Sequence, residues 1–251
     1  MKRLPRIAVF LGACAVILAG MWANGARADT VTVFAASSLH DALSAIAQAY
    51  EDETGAQMTL VFAASSAVAR QVAQGAPADV VLLADVAWAQ WLVEDGAVAS
   101  LAPIAGNRLV LLGRDVAPIA TPDALVAALG DGVLAMAQVD AVPAGRYGKA
   151  ALQALGLWTQ LEPRVVQAAN VRAALLFVQR GEAPLAVGYA SDLVAFPDLS
   201  KVYAFAADTH APIVYSGGAL SQQGVDFMTH ILGKTGQAIL ADWGFLPVGA
   251  R

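Results

Sequence analysis

Short apolar runs alternate along the chain with stretches whose apolar residues recur every three or four positions, the pattern of strands followed by amphipathic helices. The first run ends in Val33-Phe34-Ala35-Ala36-Ser37-Ser38. Leu39, Leu43, Ile46, Ala47 and Tyr50 follow at helical spacing, and Thr54-Gly55 closes that helix. The next run, Met58 to Phe62, leads through Val61-Phe62-Ala63-Ala64-Ser65-Ser66, which repeats the first hexapeptide letter for letter 28 residues on. A shorter helix is expected from Ala67 to Gln74, closed by Gly75. Val80 to Leu83 is apolar throughout, as in a parallel strand buried on both faces. Asp85 is placed to cap a helix carrying Val86, Trp88, Trp91 and Leu92, with the two tryptophans as core or interdomain packing.

The same alternation continues. A strand is expected at Leu109 to Leu112. A helix begins at Thr121-Pro122-Asp123, with proline at its first position, and a strand follows from Val133 to Ala137. Val142-Pro143-Ala144-Gly145 leads into a helix with Tyr147, Ala151, Leu152 and Leu155. Asn170 caps the helix of Leu175, Leu176 and Val178, which stops at Gly181. Leu185 to Tyr189 and Val202 to Phe205 are further strands. Ile213 to Leu220 is expected as a strand interrupted by Gly217-Gly218, and two helices start near Val225 and Thr235. Strands alternating with helices in this way predict a parallel α/β architecture. No low-complexity linker divides the chain, so two lobes would be joined by ordinary strands crossing near residues 106 and 212.

The N-terminus changes this picture. Lys2, Arg3 and Arg6 precede an uncharged, mostly apolar run from Ile7 to Ala23, and Ala26-Arg27-Ala28 supplies small residues for cleavage before Asp29. This is the layout of a secretory signal peptide over residues 1–28. The run is short for a spanning helix, and cleavage at Cys14 would leave most of it on the exported protein. Removing residues 1–28 takes away the single cysteine, so the exported chain is stabilised by its core and not by disulfides. It also removes four of fifteen basic residues and no acidic one, moving the formal charge from −5 to −9. Such a balance disfavours nucleic acid and anionic lipid as partners. A small anion would have to be held by local hydrogen bonds against the global field.

The repeated hexapeptide offers such bonds. Each copy is expected at a strand end, in a tight turn, with a serine pair at a helix start. The first turn of a helix leaves backbone N–H groups unpaired at the positive end of its dipole, and a serine hydroxyl adds a donor. Two such ends facing one cleft would bind a small anion without lysine or arginine. Serine is equally a good N-cap, so the pattern alone leaves both roles open. Other chemistry finds little support. His40, His210 and His230 are scattered and no pair has metal-ligand spacing. His40 lies near Ser38 but in the first turn of the same helix, and no Gly-x-Ser-x-Gly elbow occurs. Arg146 and Arg172 are expected to pair with acidic residues or shape the cleft rim. Asp79, Asp85 and Asp192 are expected to cap helices or turns.

Several blocks, taken in order, carry a family resemblance. They are Thr32-Val33-Phe34-Ala35-Ala36-Ser37-Ser38-Leu39, Phe62-Ala63-Ala64-Ser65-Ser66 with Ala69-Arg70-Gln71, Gly75-Ala76-Pro77-Ala78-Asp79-Val80, Val142-Pro143-Ala144-Gly145 with Tyr147, Asn170-Val171-Arg172 with Ala174-Leu175, and Tyr189-Ala190-Ser191-Asp192. Across essentially the whole exported sequence the chain resembles the periplasmic molybdate-binding proteins of bacterial ABC importers. The resemblance implies an α/β type II periplasmic-binding-protein fold: two α/β lobes joined by two crossover strands, with the ligand cleft between. Residues 29–106 and 212–251 would form lobe 1 and residues 107–211 lobe 2. It implies five positions around one tetrahedral oxyanion: the hydroxyls of Ser38 and Ser66, the backbone N–H groups of Ala144 and Val171, and the hydroxyl of Tyr189. Molybdenum would enter only as the molybdate oxyanion, tungstate would bind comparably, and sulfate would be rejected by cavity size. Sulfate or phosphate as the true ligand is the alternative. The implied protein is a periplasmic monomer, not an enzyme, without a cofactor, whose partners are an importer permease and its ATPase. Two departures bear on loop and hinge geometry: Gln138-Val139 where Asp-Pro is frequent, and Ser216 where proline often follows the tyrosine.

Overall fold

The computed structural model describes residues 30–250; the signal-peptide expectation for residues 1–28 lies outside them. The described residues begin with strand β1 (Thr30–Ala36). A single 3-10 turn (Ser37–Leu39) leads into helix α1 (His40–Thr54). Leu43, Ile46, Ala47 and Tyr50 form the buried stripe of α1, and the helix ends on Gly55 at φ +73°, the left-handed geometry that glycine adopts without a steric penalty. β2 (Gln57–Ala63), α2 (Ser65–Ala73), β3 (Val80–Leu83), α3 (Val86–Glu94) and β4 (Ala102–Gly106) follow. All four residues of β3 are buried, as the unbroken apolar run requires. Asp85 caps α3 by accepting the Trp88 N–H at 2.8 Å.

The chain then enters a second sheet. Its elements are β5 (Leu109–Gly113), α4 (Pro122–Leu129), β6 (Leu134–Ala137), α5 (Pro143–Ala154), α6 (Trp158–Leu161), β7 (Val165–Ala168), α7 (Val171–Gln179), β8 (Leu185–Tyr189), α8 (Asp192–Ala195) and β9 (Ser200–Ala204). β10 (Val214–Ala219) returns to the first sheet, and α9 (Gln222–Leu232) and α10 (Lys234–Asp242) end the described elements. Each sheet has five strands, in the orders β2-β1-β3-β10-β4 and β7-β6-β8-β5-β9. β10 runs antiparallel to its neighbours in the first sheet and β5 to its neighbours in the second. These are the strands that follow the two crossings, between Gly106 and Leu109 and between Ala204 and Val214. The architecture is the two-lobed α/β arrangement that the resemblance implies; the parallel sheet that the alternating pattern predicts is found with one antiparallel strand inserted in each lobe.

Three details differ from the sequence expectation. β10 is continuous through Gly217 and Gly218, which pair with Leu82 and Val81. The glycines do not break the strand but make room, since a Cβ would lie 2.5 Å from Leu82 at Gly217 and 2.5 Å from Leu101 at Gly218. β4 and β7 have no counterpart in the apolar pattern: β4 carries a proline and two exposed residues, and β7 pairs only with β6, so neither shows a clear apolar run. The two tryptophans also part company. The Trp88 indole donates to the Ala141 carbonyl of the opposite lobe at 2.8 Å, whereas Trp91 is partly exposed and meets the Trp88 ring edge-on.

Candidate functional site

Four helical N-termini converge between the lobes. They are the turn at Ser37 that leads into α1, the starts of α2 and α7, and the start of α5. Each begins where a strand of its sheet ends, so backbone N–H groups that no helical carbonyl can reach point into the gap. In α2 the Ala64 carbonyl is taken by Ala67 and Val68, which leaves the N–H groups of Ser65 and Ser66 ahead of the ladder. In α7 the Asn170 side chain takes the Ala173 N–H at 3.0 Å and its carbonyl takes Ala174, leaving Val171 outside the ladder. In α5 the first intrahelical bond runs from Arg146 to Val142. Pro143 has no N–H, so Ala144 and Gly145 supply the free donors. Gly145 allows the close approach that puts them there, because a Cβ would sit 2.3 Å from the Ala137 carbonyl oxygen.

A cavity of about 10 Å3 lies at this convergence, lined among others by Ser37, Ser38, Ser65, Ala144, Val171 and Tyr189. Four of the five expected residues therefore come together. The fifth does not: Ser66 is buried at the second position of α2 and its neighbour Ser65 lines the cavity instead. The reason is strand register. Phe34 pairs with Val61 and Ala36 with Ala63, so the two identical hexapeptides are staggered by one residue. The last serine of the first copy thus lies level with the first serine of the second. Ser37 was also missed, and only the fold reveals its position, since the sequence pairs it with Ser38 as an ordinary turn residue.

The hydroxyls at the cavity are poised as donors. Ser65 Oγ accepts the Ala84 N–H at 2.9 Å, and Ser38 Oγ accepts from the Tyr215 hydroxyl at 2.9 Å, so each keeps its own proton for another partner. The Tyr189 hydroxyl is buried and has no hydrogen-bond partner among the described residues. Burial first, then the neighbouring Tyr215, Tyr147 and carboxylates, push its pKa well above the usual tyrosine value, so it remains a donor at neutral pH.

The cations nearby are spoken for. Arg172, next to Val171, lies 2.8 Å from Asp41 of α1 and 3.2 Å from the fully buried Asp192. Arg146, two residues after Ala144, lies 3.3 Å from Asp85. The Arg172–Asp41 and Arg146–Asp85 pairs join one lobe to the other, whereas Arg172–Asp192 lies within the second lobe; neither arginine lines the small cavity. A larger cavity of about 880 Å3 lies beside the crossovers, lined by Asn107, Arg146, Tyr147 and His210 among others; of the convergent helix starts only that of α5 borders it, through Arg146. His40 is no partner for Ser38, since its Nδ1 meets Asp41 at 3.1 Å and its ring packs on Phe62. Among the described residues no group of His, Cys, Asp and Glu could hold a metal ion, and no helix is long and apolar enough to cross a membrane.

Asp192 has a pH consequence. Its Oδ2 accepts the Tyr189 N–H at 2.8 Å. Burial nevertheless pushes its pKa from 3.8 up to about 6, against the opposing pull of Arg172 and that hydrogen bond. Between these values the folded protein holds a proton that the unfolded chain has released. The stabilisation is fully present below pH 3.8 and is lost as pH rises through about 6. It amounts to at most about 3 kcal/mol. Asp192→Asn removes this contribution, so across that window the variant's unfolding free energy rises more steeply with pH than the wild type's. Denaturant titrations over a pH series check this, and parallel curves would refute it.

Comparison with known proteins agrees with the fold. Residues 31–246 match the family model for bacterial extracellular solute-binding proteins. The molybdate-binding protein ModA of Haemophilus influenzae is 32% identical over 98% of this chain and 99% of its own length. ModA of Escherichia coli is 39% identical over 77% of this chain and 79% of its own. Among solved structures, the Azotobacter vinelandii periplasmic molybdate-binding protein superposes with a TM-score of 0.78 at 22% identity, covering 86% of this chain and 98% of that one. With a two-lobed fold, a buried cleft lined by donors and a match over nearly all the described residues, the chain belongs to the bacterial extracellular solute-binding proteins, a family of binding proteins and not of enzymes.

Proposed function

We propose that the protein captures molybdate, and comparably tungstate, in the cavity between the lobes and delivers it to the permease and ATPase of an ABC importer. The observation that carries this reading is the Tyr189 hydroxyl, a buried donor without a partner on the wall of a cavity ringed by helix N-termini. A buried unsatisfied donor costs about 1–3 kcal/mol, and an oxyanion would relieve that cost. The ligand set is Ser38, Ser65, Ala144, Val171 and Tyr189, with Ser65 in the place that the resemblance gives to Ser66. All of them offer protons and none adds formal charge. Such a set suits a fully deprotonated tetrahedral anion better than hydrogen phosphate, whose own proton needs an acceptor. The names of the Haemophilus influenzae and Escherichia coli relatives favour molybdate among the deprotonated anions.

The same proposal makes the protein a periplasmic monomer cut after Ala28, with lobes bounded at 106/107 and 211/212 and hinging there. Because Ser38, Ala144, Val171 and Tyr189 are all buried, entry of a ligand requires the lobes to part. Calorimetric titration of the chain from Asp29 with molybdate, tungstate, sulfate and phosphate tests the assignment. One-to-one binding of the first two, with little heat from the others, is expected. Saturable binding of sulfate or phosphate in preference to molybdate would reassign the ligand.

A further inference from the structure

A hydrogen-bond chain runs from the crossover between the lobes to the anion cavity, and its direction is fixed at its far end. Asn107 sits between β4 and β5. Its Oδ1 accepts the backbone N–H groups of Arg108 at 2.9 Å and Ser191 at 3.4 Å. With the carbonyl side so occupied, the amide nitrogen faces the other way and donates to Ser191 Oγ at 2.8 Å and to the Tyr215 hydroxyl at 3.4 Å. The Tyr215 oxygen, approached by that N–H, directs its own proton to Ser38 Oγ at 2.9 Å. Tyr215 is fully buried, as are its links to Asn107 and Ser38, so bulk water does not compete at the tyrosine hydroxyl. Burial, the foremost influence on Tyr215, raises its pKa and keeps its proton in place.

We infer that Asn107 and Tyr215 are positioning residues that set the polarity of the Ser38 hydroxyl, so that the cavity presents a proton there and discriminates against oxyanions that carry a proton of their own. The inference rests on the oxyanion reading above and adds the origin of its selectivity. A serine hydroxyl both donates and accepts. Left alone, Ser38 could turn a lone pair to the ligand and accept the hydrogen of a hydrogen phosphate. With Tyr215 donating to it, its own proton is left for the cavity. The chain also crosses three segments, the 106–109 crossover, β10 and the end of β1, so the polarity is assembled only when these pack together.

The test separates polarity from charge and size by comparing sulfate with inorganic phosphate at a pH above the second ionisation of phosphate, where both are tetrahedral dianions and only the second carries a proton. Competition against bound molybdate gives both affinities for the wild type, Tyr215→Phe and Asn107→Asp. Tyr215→Phe removes the donor to Ser38 and leaves the ring. Asn107→Asp keeps the acceptor for Arg108 and Ser191 but offers Tyr215 an acceptor, turning its proton away from Ser38. The expected result is a loss of molybdate affinity of about tenfold in Tyr215→Phe, with the phosphate-to-sulfate affinity ratio rising about tenfold in both variants. Taking the ratio cancels the extra charge that Asn107→Asp introduces, since at that pH both competitors are dianions of like size, and a merely structural lesion would weaken the two together. An unchanged ratio in both variants, with wild-type molybdate binding intact, overturns the polarity inference alone. A wild type that binds none of the three anions overturns the oxyanion reading with it.

Discussion

Tyr189→Phe is expected to weaken molybdate binding about 100-fold while leaving the unliganded protein at least as stable as the wild type. The two effects have one cause. The hydroxyl is buried and has no partner among the described residues, so on the oxyanion reading it lowers the stability of the unliganded protein and gains its partner only from the ligand. Phenylalanine keeps the ring, which meets Tyr215 edge-on with centroids 6.3 Å apart, and removes only the oxygen. The bound anion then loses one charge-assisted hydrogen bond, worth about 1.5–3 kcal/mol. Calorimetry gives the first effect and urea unfolding without anion the second. A variant that unfolds more easily but binds as well as the wild type would show the hydroxyl to be structural.

Most of the fold was legible because its signals are local. β3 is an unbroken apolar run, and α3, α5 and α7 start on the residues that capping chemistry selects, Asp85, Val142-Pro143 and Asn170. β4 and β7 were not legible, because one carries a proline and exposed positions and the other is largely part-buried on the flank of its sheet. The site divides along the same line. Ala144, Val171 and Tyr189 follow from their places at helix starts and a strand end together with the resemblance. The network behind the cavity was beyond reach, since Tyr215 and Ser38 are 177 residues apart and Asn107 and Ser191 are 84 apart. Residues 106 and 107 mark the crossover in the sequence, but nothing there says that the Asn107 amide is oriented by two backbone N–H groups.

The choice between Ser65 and Ser66 shows what a repeat can and cannot specify, and it yields the second large effect. Identical hexapeptides suggest equivalent roles for their last serines. Pairing in a sheet, however, is set by which residues of each strand must face the core, and a shift of one residue exchanges the two faces. Here the stagger places Ser65 level with Ser38, and Ser65 Oγ also holds the buried Ala84 N–H at 2.9 Å. Ser65→Ala therefore removes a donor to the anion and orphans a backbone donor. Affinity should fall about 100-fold and the unfolding free energy by about 1–3 kcal/mol. Ser66→Ala leaves the Ser66 backbone N–H in place and puts a strong helix former in the first turn of α2, so affinity should stay within about twofold of wild type. Titrating both variants with molybdate decides the matter. If Ser66→Ala proves the damaging change and Ser65→Ala the mild one, Ser66 and not Ser65 supplies the hydroxyl, and the assignment made from the strand register is overturned.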